Sequence, residues 1–345
     1  MAKSIINEVA MKKIPIVFAS DENYITPTYI AMYSALCNMN PTHYYDFFLL
    51  CPNTISSISR DVLYSLETEF NRCSIKIIDM GNSFSNIKMK IDHISSPTFY
   101  RLCLPDILSE YEKCIYLDSD IIVNGDLGEL FDTVIDEYYL AGVLSEGIQL
   151  DKYYKKILCK RTGLKDVNSY INAGVLLFNL NKLRNDGITQ QWFNLINKEF
   201  PTQDQDIINL SCYGKIKLLP LKFNAMTKCE AIKCNENNIT DKVYDIDEIK
   251  EARHNPIIIH FADRIKPWSD KASLLANYWW QYYYQIENIK ARTYIRVFID
   301  GCCNNTPKSQ GNFLKQKLIR ISQVLGIYAF FKQVEDIFKI RRKKN

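Results

Sequence analysis

Two aspartates directly follow a short apolar run, and their spacing is the feature of the sequence that most strongly indicates a ligand site. The run 114–117 reads as a buried strand, and it is followed by Asp118 and Asp120. In an extended backbone, residues two apart point to the same side, so both carboxylates can face one point. Two close like charges need a positive group between them, and Mg²⁺ and Mn²⁺ prefer carboxylate oxygens. The pair therefore indicates a divalent metal site, although such pairs also occur in ordinary turns.

Other polar residues lie where apolar runs stop or where helices begin. They are Asp21, Asn23, Asn172, the cluster 203–206, His260 and Lys266. Because open α/β sheets bind ligands at the carboxyl ends of their strands, we expect these groups to converge on one crevice. Metal-binding groups, amides and a lysine together suit a diphosphate held with a metal ion. The sequence has no Walker-type glycine loop and no Gly-x-Gly-x-x-Gly after its first strand, which disfavours those two classes of nucleotide-binding protein.

Each of these groups also has a purely structural interpretation. Asp21 and Asn23 could cap a turn or a helix, and Asp204 could begin a helix without contacting a ligand. His260 follows three isoleucines, and a lone histidine in that setting is more often a hydrogen-bonded core residue. Arg101, taken alone, would be a surface ion pair. Only the combination of all these residues favours a ligand-binding site.

The elements that must position these groups alternate along the chain. Strands are predicted at 14–20, 45–51, 74–79, 114–117, 139–144, 172–180 and 257–260, with helices at 24–40, 56–70 and 97–108 and another beginning at 203. This alternation favours an α/β fold with a Rossmann-like, mostly parallel sheet covered by helices on both faces. We predict one catalytic domain over residues 1–270 and a C-terminal helical extension over residues 271–345.

The composition is that of an ordinary globular protein. The chain has 345 residues, of which 47% are hydrophobic and 24% charged, so it can bury a sizeable core. Its 11 cysteines follow no disulfide or zinc spacing, and no signal peptide is visible, which predicts reduced thiols in the cytoplasm. No apolar run approaches the roughly 20 residues needed to cross a bilayer.

The positive charge is concentrated at the C-terminus. Residues 312–345 contain nine Lys or Arg and two Asp or Glu, a net charge of +7. Since the whole chain carries +4, the remainder is slightly acidic at about −3, and we predict no nucleic-acid partner. Apolar residues recur at helical spacing in this segment, so it predicts a basic amphipathic helix on an anionic membrane surface, at the inner face of the cell membrane. Packing of the same helix on protein is the alternative.

Six motifs, in this order, resemble glycosyltransferase family 8, above all its bacterial lipopolysaccharide and capsule galactosyl- and glucosyltransferases. They are FASDENY at 18–24, TFYR at 98–101, YLDSD at 116–120, NAGVLLFN at 172–179, QDQD at 203–206 and HFADRIKPW at 260–268. The resemblance implies the GT-A fold, UDP-glucose or UDP-galactose as donor, and a glycan or glycolipid acceptor. It also implies Mn²⁺, with Mg²⁺ as the alternative, and retention of the anomeric configuration.

The resemblance also implies a role for each matching residue. The uracil and ribose contacts match Ala19, Asp21 and Asn23, and the arginine that reaches the donor matches Arg101. The metal ligands match Asp118, Asp120 and His260, with Asp118 also near the ribose and sugar, and the diphosphate lysine matches Lys266. Groups around the donor sugar match Asn172, Asp204 and Gln205. The sequence departs from one family member at Glu146 and Asp263, which stand in place of Asp and Gly.

The implied chemistry of retention centres on Gln205 and Asp204. A double displacement needs a carboxylate nucleophile close to the anomeric carbon, and the amide of Gln205 is a poor one. We therefore favour a front-face displacement, with Asp204 as the alternative nucleophile. Two other classes stay open: a non-catalytic nucleotide-sugar-binding scaffold, and a sugar nucleotidyltransferase, which usually carries a Gly-rich N-terminal loop that this sequence lacks.

Overall fold

The structure, a computed structural model, describes residues 11–81, 83–84, 96–198, 200, 202–233 and 243–303. The chain divides into two compact units, Met1–Asp263 and Arg264–Asn345. The predicted boundary at residue 270 stays a prediction. The basic segment 312–345, with its predicted membrane-binding helix, lies outside the described residues.

Ten strands of the described chain form two sheets. They are β1 (Lys12–Ala19), β2 (His43–Cys51), β3 (Cys73–Asp79), β4 (Lys113–Leu117), β5 (Ile121–Val123), β6 (Leu140–Leu144), β7 (Ile171–Asn179), β8 (Ile216–Leu218), β9 (Ala225–Met226) and β10 (Ile258–His260). The large sheet has the order β3-β2-β1-β4-β7-β6-β8, and the small sheet has the order β5-β10-β9. The predicted α/β class with a mostly parallel sheet is confirmed.

Helices fill the connections. They are α1 (Ile25–Cys37), α2 (Ser57–Glu69), α3 (Leu104–Ile107), α4 (Gly128–Phe131), α5 (Glu146–Leu150), α6 (Lys152–Thr162), α7 (Leu180–Asn185), α8 (Ile188–Leu195), α9 (Asp204–Ser211), α10 (Glu230–Lys233), α11 (Ile246–His254), α12 (Ala276–Gln285) and α13 (Ile289–Cys303), with 3-10 helices at Glu22–Tyr24, Ser96–Cys103 and Leu221–Phe223. None of these described helices has the length and apolar character needed to cross a membrane.

The segment 97–108 is helical as predicted, but in two parts rather than as one α-helix. The structure has the 3-10 helix Ser96–Cys103 followed by the short α3. Pro105 explains the break, because it has no N–H to donate to the carbonyl of Arg101, four residues earlier.

One strand of the large sheet runs against the others. β7 is antiparallel to both of its neighbours, β4 and β6, whereas the remaining pairs are parallel. An antiparallel strand begins at the edge where parallel strands end. The start of β7, with Asn172, therefore lies at the same edge as the end of β4, and Leu117 pairs with Val175 there.

A dense apolar core fixes the helices that carry site residues. On one face of the large sheet, Phe178 of β7 packs edge-on against Trp192 of α8, with ring centroids 6.3 Å apart. Ile207 and Ile208 of α9 belong to the same buried cluster. This packing holds α9 beside β7 and brings Gln205 next to the start of that strand.

The small sheet is attached to the large one through α1. Ser34 of this buried helix accepts a hydrogen bond from the N–H of Val123 at 3.0 Å, and Asn38 donates to the carbonyl of Val123 at 3.0 Å. β10 then pairs antiparallel with β5, placing His260 opposite Ile121. As a result, the end of β10 lies beside the turn that follows β4.

The second unit, by itself, contains α12 and α13 and an aromatic cluster. Trp279 stacks on Tyr283 with centroids 6.1 Å apart, and Trp280 donates its indole N–H to the carbonyl of Pro267 at 2.9 Å. Trp279, Trp280, Tyr282 and Tyr283 are thus buried and form a packed face of α12, whereas Tyr284 is exposed.

Asp126, in the loop after β5, joins three segments by hydrogen bonds. Its Oδ1 accepts from the N–H of Asn40 at 3.0 Å and the hydroxyl of Tyr45 at 2.9 Å, and it lies 3.1 Å from Nδ1 of His43. Its Oδ2 accepts from the N–H of Gly128 at 3.1 Å. Burial acts to raise the pKa of Asp126, but the hydrogen bonds outweigh it, and the pKa is lowered.

We expect Asp126→Asn to lower the free energy of unfolding by about 1–3 kcal/mol at neutral pH, because the amide cannot accept all these bonds. A carboxyl with a lowered folded-state pKa stabilises the fold above its unfolded pKa of about 3.9, and this contribution is lost as the pH falls through the folded value. Urea denaturation measures the free energy of unfolding of both proteins. The difference between Asp126→Asn and wild type should therefore shrink below about pH 4. Asp136→Asn, at an exposed position, is the control. A difference that stays constant with pH would contradict the expectation.

Candidate active site

The turn after β4 presents the two aspartates on one side. The N–H of Asp118 donates to the carbonyl of Gly174 at 2.8 Å, which continues the pairing of β4 with β7. Ser119 points the other way, is buried, and accepts a hydrogen bond from Thr28 at 2.8 Å. Asp118 and Asp120 thus share a face, as the two-residue spacing predicts.

His260 completes a group of three side chains that could hold a metal ion. One ligand atom each from Asp118, Asp120 and His260 lies within 4.8 Å of the others. Nε2 of His260 is 3.4 Å from Oδ1 of Asp120 and 3.8 Å from Oδ2 of Asp118. Two carboxylate oxygens and one imidazole nitrogen converge here, a ligand set that fits Mn²⁺ and, with fewer oxygens than it prefers, Mg²⁺.

The absence of a side chain at Gly174 makes room for His260 and Asp118. A Cβ atom at this position would lie 2.3 Å from Cε1 of His260 and 2.7 Å from Oδ2 of Asp118. Any side chain on Gly174 would therefore displace the imidazole or the carboxylate.

Arg101 is buried between two carboxylates. Its Nη2 lies 3.0 Å from Oδ1 of Asp118, and its Nε lies 3.1 Å from Oδ2 of Asp204. Its guanidinium also lies over the ring of Tyr116, 4.2 Å from the centroid, and donates to the carbonyl of Ala173. These contacts orient Asp118 so that Oδ2 remains on the side of His260. Direct contact of Arg101 with a donor stays a prediction.

The charges of this cluster influence one another. Burial acts to lower the pKa of Arg101, but Tyr116, Asp118 and Asp204 outweigh it, so its pKa lies above the ordinary value. Burial raises the pKa of Asp204, against the opposing effects of Arg101 and Thr98. Both oxygens of Asp204 are engaged, since Oδ1 accepts from the hydroxyl of Thr98 at 3.0 Å and Oδ2 pairs with Arg101. Asp204 also begins a helix, as its purely structural interpretation predicts, because it is the first residue of α9.

Asn172 and Gln205 contact each other directly. Nδ2 of Asn172 donates to Oε1 of Gln205 at 3.2 Å, and the N–H of Ala173 donates to the same oxygen at 3.1 Å. Nε2 of Gln205 donates to the hydroxyl of Tyr170 at 3.3 Å. The two amides predicted to surround a donor sugar thus lie side by side at the start of β7.

Gln203, just before Asp204, has an unusual backbone. Its φ of +54° lies in the left-handed region, which costs a residue with a side chain about 1–3 kcal/mol. Its side-chain amide is buried, and within the described part of the chain it has no hydrogen-bond partner. Strain of this kind is frequent at functional sites and is consistent with the position of the cluster 203–206.

The end of β1 lies at the same sheet edge. Phe18 pairs with Leu117 of β4, so Ala19 follows directly beside Asp118. Oδ1 of Asp21 accepts from the N–H of Asn23 at 2.9 Å and caps a short 3-10 helix. The structure therefore shows the capping role for Asp21, and nucleotide contacts by Ala19, Asp21 and Asn23 stay predictions.

Glu146 has a structural role. Its two carboxylate oxygens accept from the backbone N–H groups of Glu230 and Ala231, at 2.5 and 2.9 Å, at the start of α10. Asp263 lies 3.7 Å from Nζ of Lys233. Lys266 belongs to the second unit, and its predicted contact with a diphosphate stays a prediction.

Sequence analysis missed Asn224, which precedes β9 and is fully buried. Its Oδ1 lies 2.9 Å from Nδ1 of His260. No residue spacing in the sequence marks this contact, because it joins two segments that meet only through the pairing of β9 with β10.

Comparison with known proteins identifies similar sequences. Residues 15–272 match the model of Glycosyl transferase family 8. A Haemophilus influenzae protein that carries the name of a glycosyltransferase is 34% identical over 61% of this chain and 62% of its own length. Glycosyltransferase GlyB of Streptococcus pneumoniae is 28% identical over 77% of this chain and 61% of its own length. The lipopolysaccharide 1,2-glucosyltransferase of Escherichia coli is 28% identical, over 73% and 72% of the two chains.

Solved structures agree. The crystal structure of an active-site mutant of LgtC has a TM-score of 0.68 and 26% identity, covering 80% of this chain and 97% of that one. The bifunctional glycosyltransferase WbbM has a TM-score of 0.72 at 22% identity, covering 83% and 51% of the two chains, and supports the fold alone. The predicted GT-A fold is confirmed.

We expect Gly174→Ala to weaken the binding of Mn²⁺ by tenfold or more, because the added methyl group would collide with His260 and Asp118. Electron paramagnetic resonance of free Mn²⁺ measures this dissociation constant. Gly147→Ala is the matched control, since a Cβ there meets nothing within 4 Å. Equal dissociation constants for both variants would contradict the assignment of Gly174 to the site.

Proposed function

This chain belongs to glycosyl transferase family 8, and on that basis we propose that it transfers glucose or galactose from a UDP-sugar to a hydroxyl of a glycan or glycolipid. The observation that carries the proposal is the convergence of Asp118, Asp120 and His260 at the carboxyl edge of the sheet. Lipopolysaccharide or capsule synthesis is the proposed setting, since one relative is named a lipopolysaccharide glucosyltransferase.

Asp118, Asp120 and His260 would hold Mn²⁺, or Mg²⁺ in its place. When bound, the ion supplies Lewis acidity that stabilises the departing UDP. Arg101 keeps Oδ1 of Asp118 occupied at 3.0 Å and leaves Oδ2 on the side of His260. The chain's own contribution is thus a carboxylate that is oriented in advance, with one oxygen committed to protein and one to the ligand.

Retention is proposed to proceed by front-face displacement. The bond between the anomeric carbon and UDP breaks, the acceptor oxygen attacks the same face, and the acceptor proton passes to the leaving phosphate oxygen. Two observations support this over a double displacement. Asp204 has both oxygens engaged by Thr98 and Arg101, and Gln205 is neutral with an oxygen that already accepts two hydrogen bonds.

The remaining contacts are assigned by the family pattern. Uracil and ribose would lie against Ala19, Asp21 and Asn23, and the sugar near Asn172, Asp204 and Gln205. Lys266 would contact the diphosphate. Cytoplasmic location, with the basic tail on the inner face of the cell membrane, is part of the same proposal.

Asp120→Asn should lower kcat about 100-fold or more, roughly 3 kcal/mol, because it removes one anionic ligand while keeping the side chain's shape. The measurement is UDP release from UDP-glucose and UDP-galactose, with acceptor and Mn²⁺, and EDTA should abolish it. Asp61→Asn, on the exposed side of α2, is the control.

Two further outcomes separate the alternatives. Release of pyrophosphate when UTP and hexose 1-phosphate replace the UDP-sugar would indicate a nucleotidyltransferase. Binding of UDP-sugar without any UDP release would indicate a scaffold. Full activity of Asp120→Asn would remove the metal from the proposal.

The first product formed from a UDP-α-hexose should carry an α-linkage. Proton NMR of the anomeric signal, recorded early in the reaction, distinguishes the two linkages by their coupling constants. A β-linked first product would mean inversion and would rule out front-face displacement.

A further inference from the structure

The imidazole of His260 has a second contact on the side away from the aspartates. Its Nδ1 lies 2.9 Å from Oδ1 of Asn224, and both side chains are buried. We propose that Asn224 is a positioning residue: it holds His260 in the tautomer that can ligate a metal, and through Asn172 it links that ligand to Gln205. The inference rests on the proposed function, because it takes His260 as a metal ligand.

The backbone fixes the direction of this contact. The N–H of Gly174 donates to Oδ1 of Asn172 at 3.0 Å, and a backbone N–H can only donate. The atom of Asn172 that faces it must therefore be the oxygen. Nδ2 of Asn224 lies 3.0 Å from that same oxygen and must be the donor, which leaves Oδ1 of Asn224 facing His260.

The tautomer of His260 follows. Since Oδ1 of Asn224 can only accept, Nδ1 of His260 must carry the proton and donate it. In the neutral imidazole, Nε2 then keeps its lone pair, and Nε2 is the atom 3.4 Å from Asp120 and 3.8 Å from Asp118. A histidine that binds metal through one nitrogen is commonly fixed by a hydrogen bond from the other.

A second backbone N–H, that of Ala173, fixes the orientation of the Gln205 amide. The N–H of Ala173 donates to Oε1 of Gln205 at 3.1 Å, so the oxygen of Gln205 faces β7. Nδ2 of Asn172 donates to the same oxygen at 3.2 Å. His260, Asn224, Asn172 and Gln205 therefore form one line of hydrogen bonds with a single direction, here called the amide chain. It joins the predicted metal ligand to the predicted sugar-side amide.

The position of Asn224 in the fold suits this role. It directly precedes β9, which pairs with β10 so that Met226 lies opposite His260. Asn172 belongs to β7 of the large sheet. The amide chain thus crosses from the small sheet to the large one, and Asn224 is the residue at the crossing.

The test compares two buried asparagines. Asn224→Ala removes the acceptor for Nδ1 of His260, and the dissociation constant for Mn²⁺ should rise about 10- to 100-fold. Asn209→Ala is the matched control. Asn209 is also buried, accepts from the N–H of Ile171 and donates to two carbonyls, yet it does not contact His260. Its variant should bind Mn²⁺ within about twofold of wild type. Electron paramagnetic resonance of free Mn²⁺, without any sugar nucleotide, measures both.

Asn224→Asp tests the two ends of the amide chain independently, because it keeps the contact with His260 and loses the one with Asn172. Its carboxylate still accepts from Nδ1 of His260, so Mn²⁺ affinity should stay near that of wild type. An ionised carboxylate cannot donate to Asn172, so kcat should fall while KM for the donor changes little. Equal Mn²⁺ affinities for wild type and Asn224→Ala would overturn the inference and leave the proposed function intact. No Mn²⁺ binding by the wild type would overturn the inference and remove Mn²⁺ from the proposed function.

A measurement on the wild type covers the case in which Asn224→Ala does not fold. Long-range proton–nitrogen NMR of the metal-free protein with labelled histidine reports the tautomer, at a pH where the imidazole is neutral. The His260 signals are assigned by their loss in His260→Gln. We expect the proton on Nδ1, and a proton on Nε2 would overturn the inference.

Discussion

The crowding of negative charge at the end of β4 is the constraint on which the rest of this site depends. Asp118 lies beside Asp120 on one side and shares Arg101 with Asp204 on the other. Asp118 is half-buried, and a carboxylate this close to other carboxylates on both sides is repelled by them unless a positive group lies between, so each side of Asp118 requires one. Arg101 meets that requirement within the protein. The opposite side, where His260 faces both aspartates, is where a bound cation would do the same.

The direction of β7 makes this arrangement compatible with the sheet. A parallel strand in its place would bring its carboxyl end to the edge, and Asn172 would lie at the far end of the sheet. Because β7 runs the other way, its first residues meet the last residues of β4, and the carbonyl of Gly174 holds the N–H of Asp118. The absence of a side chain at Gly174 then lets β10 deliver His260 to the same point.

Local sequence patterns predicted much of the fold and of the candidate site. The parts that they did not predict depend mainly on contacts between distant segments. The facing of Asp118 and Asp120 follows from the two-residue period of a strand, and the buried strands follow from apolar runs. The change from a 3-10 helix to α3 near Pro105 depends on local hydrogen bonding, which the helical spacing of 97–108 does not specify. The strand-end positions predicted that His260 and the aspartates converge, the family resemblance specified His260 as their fellow ligand, and neither predicted Asn224. The contact of Asn224 with His260 depends on strand pairing between distant segments, which residue spacing does not encode.

The sequence positions of the three clustered side chains have a consequence for biosynthesis. Asp118 and Asp120 lie in the first half of the chain, whereas His260 is near the end of the first unit and pairs with the strand that carries Ile121. A ribosome makes the chain from its N-terminus, and contacts between distant segments form late because loop closure must come first. All seven strands of the large sheet end by Leu218, so they can pair while the nascent polypeptide still lacks His260. Completion of the cluster would then mark a late step in maturation, after most of the scaffold around it has formed.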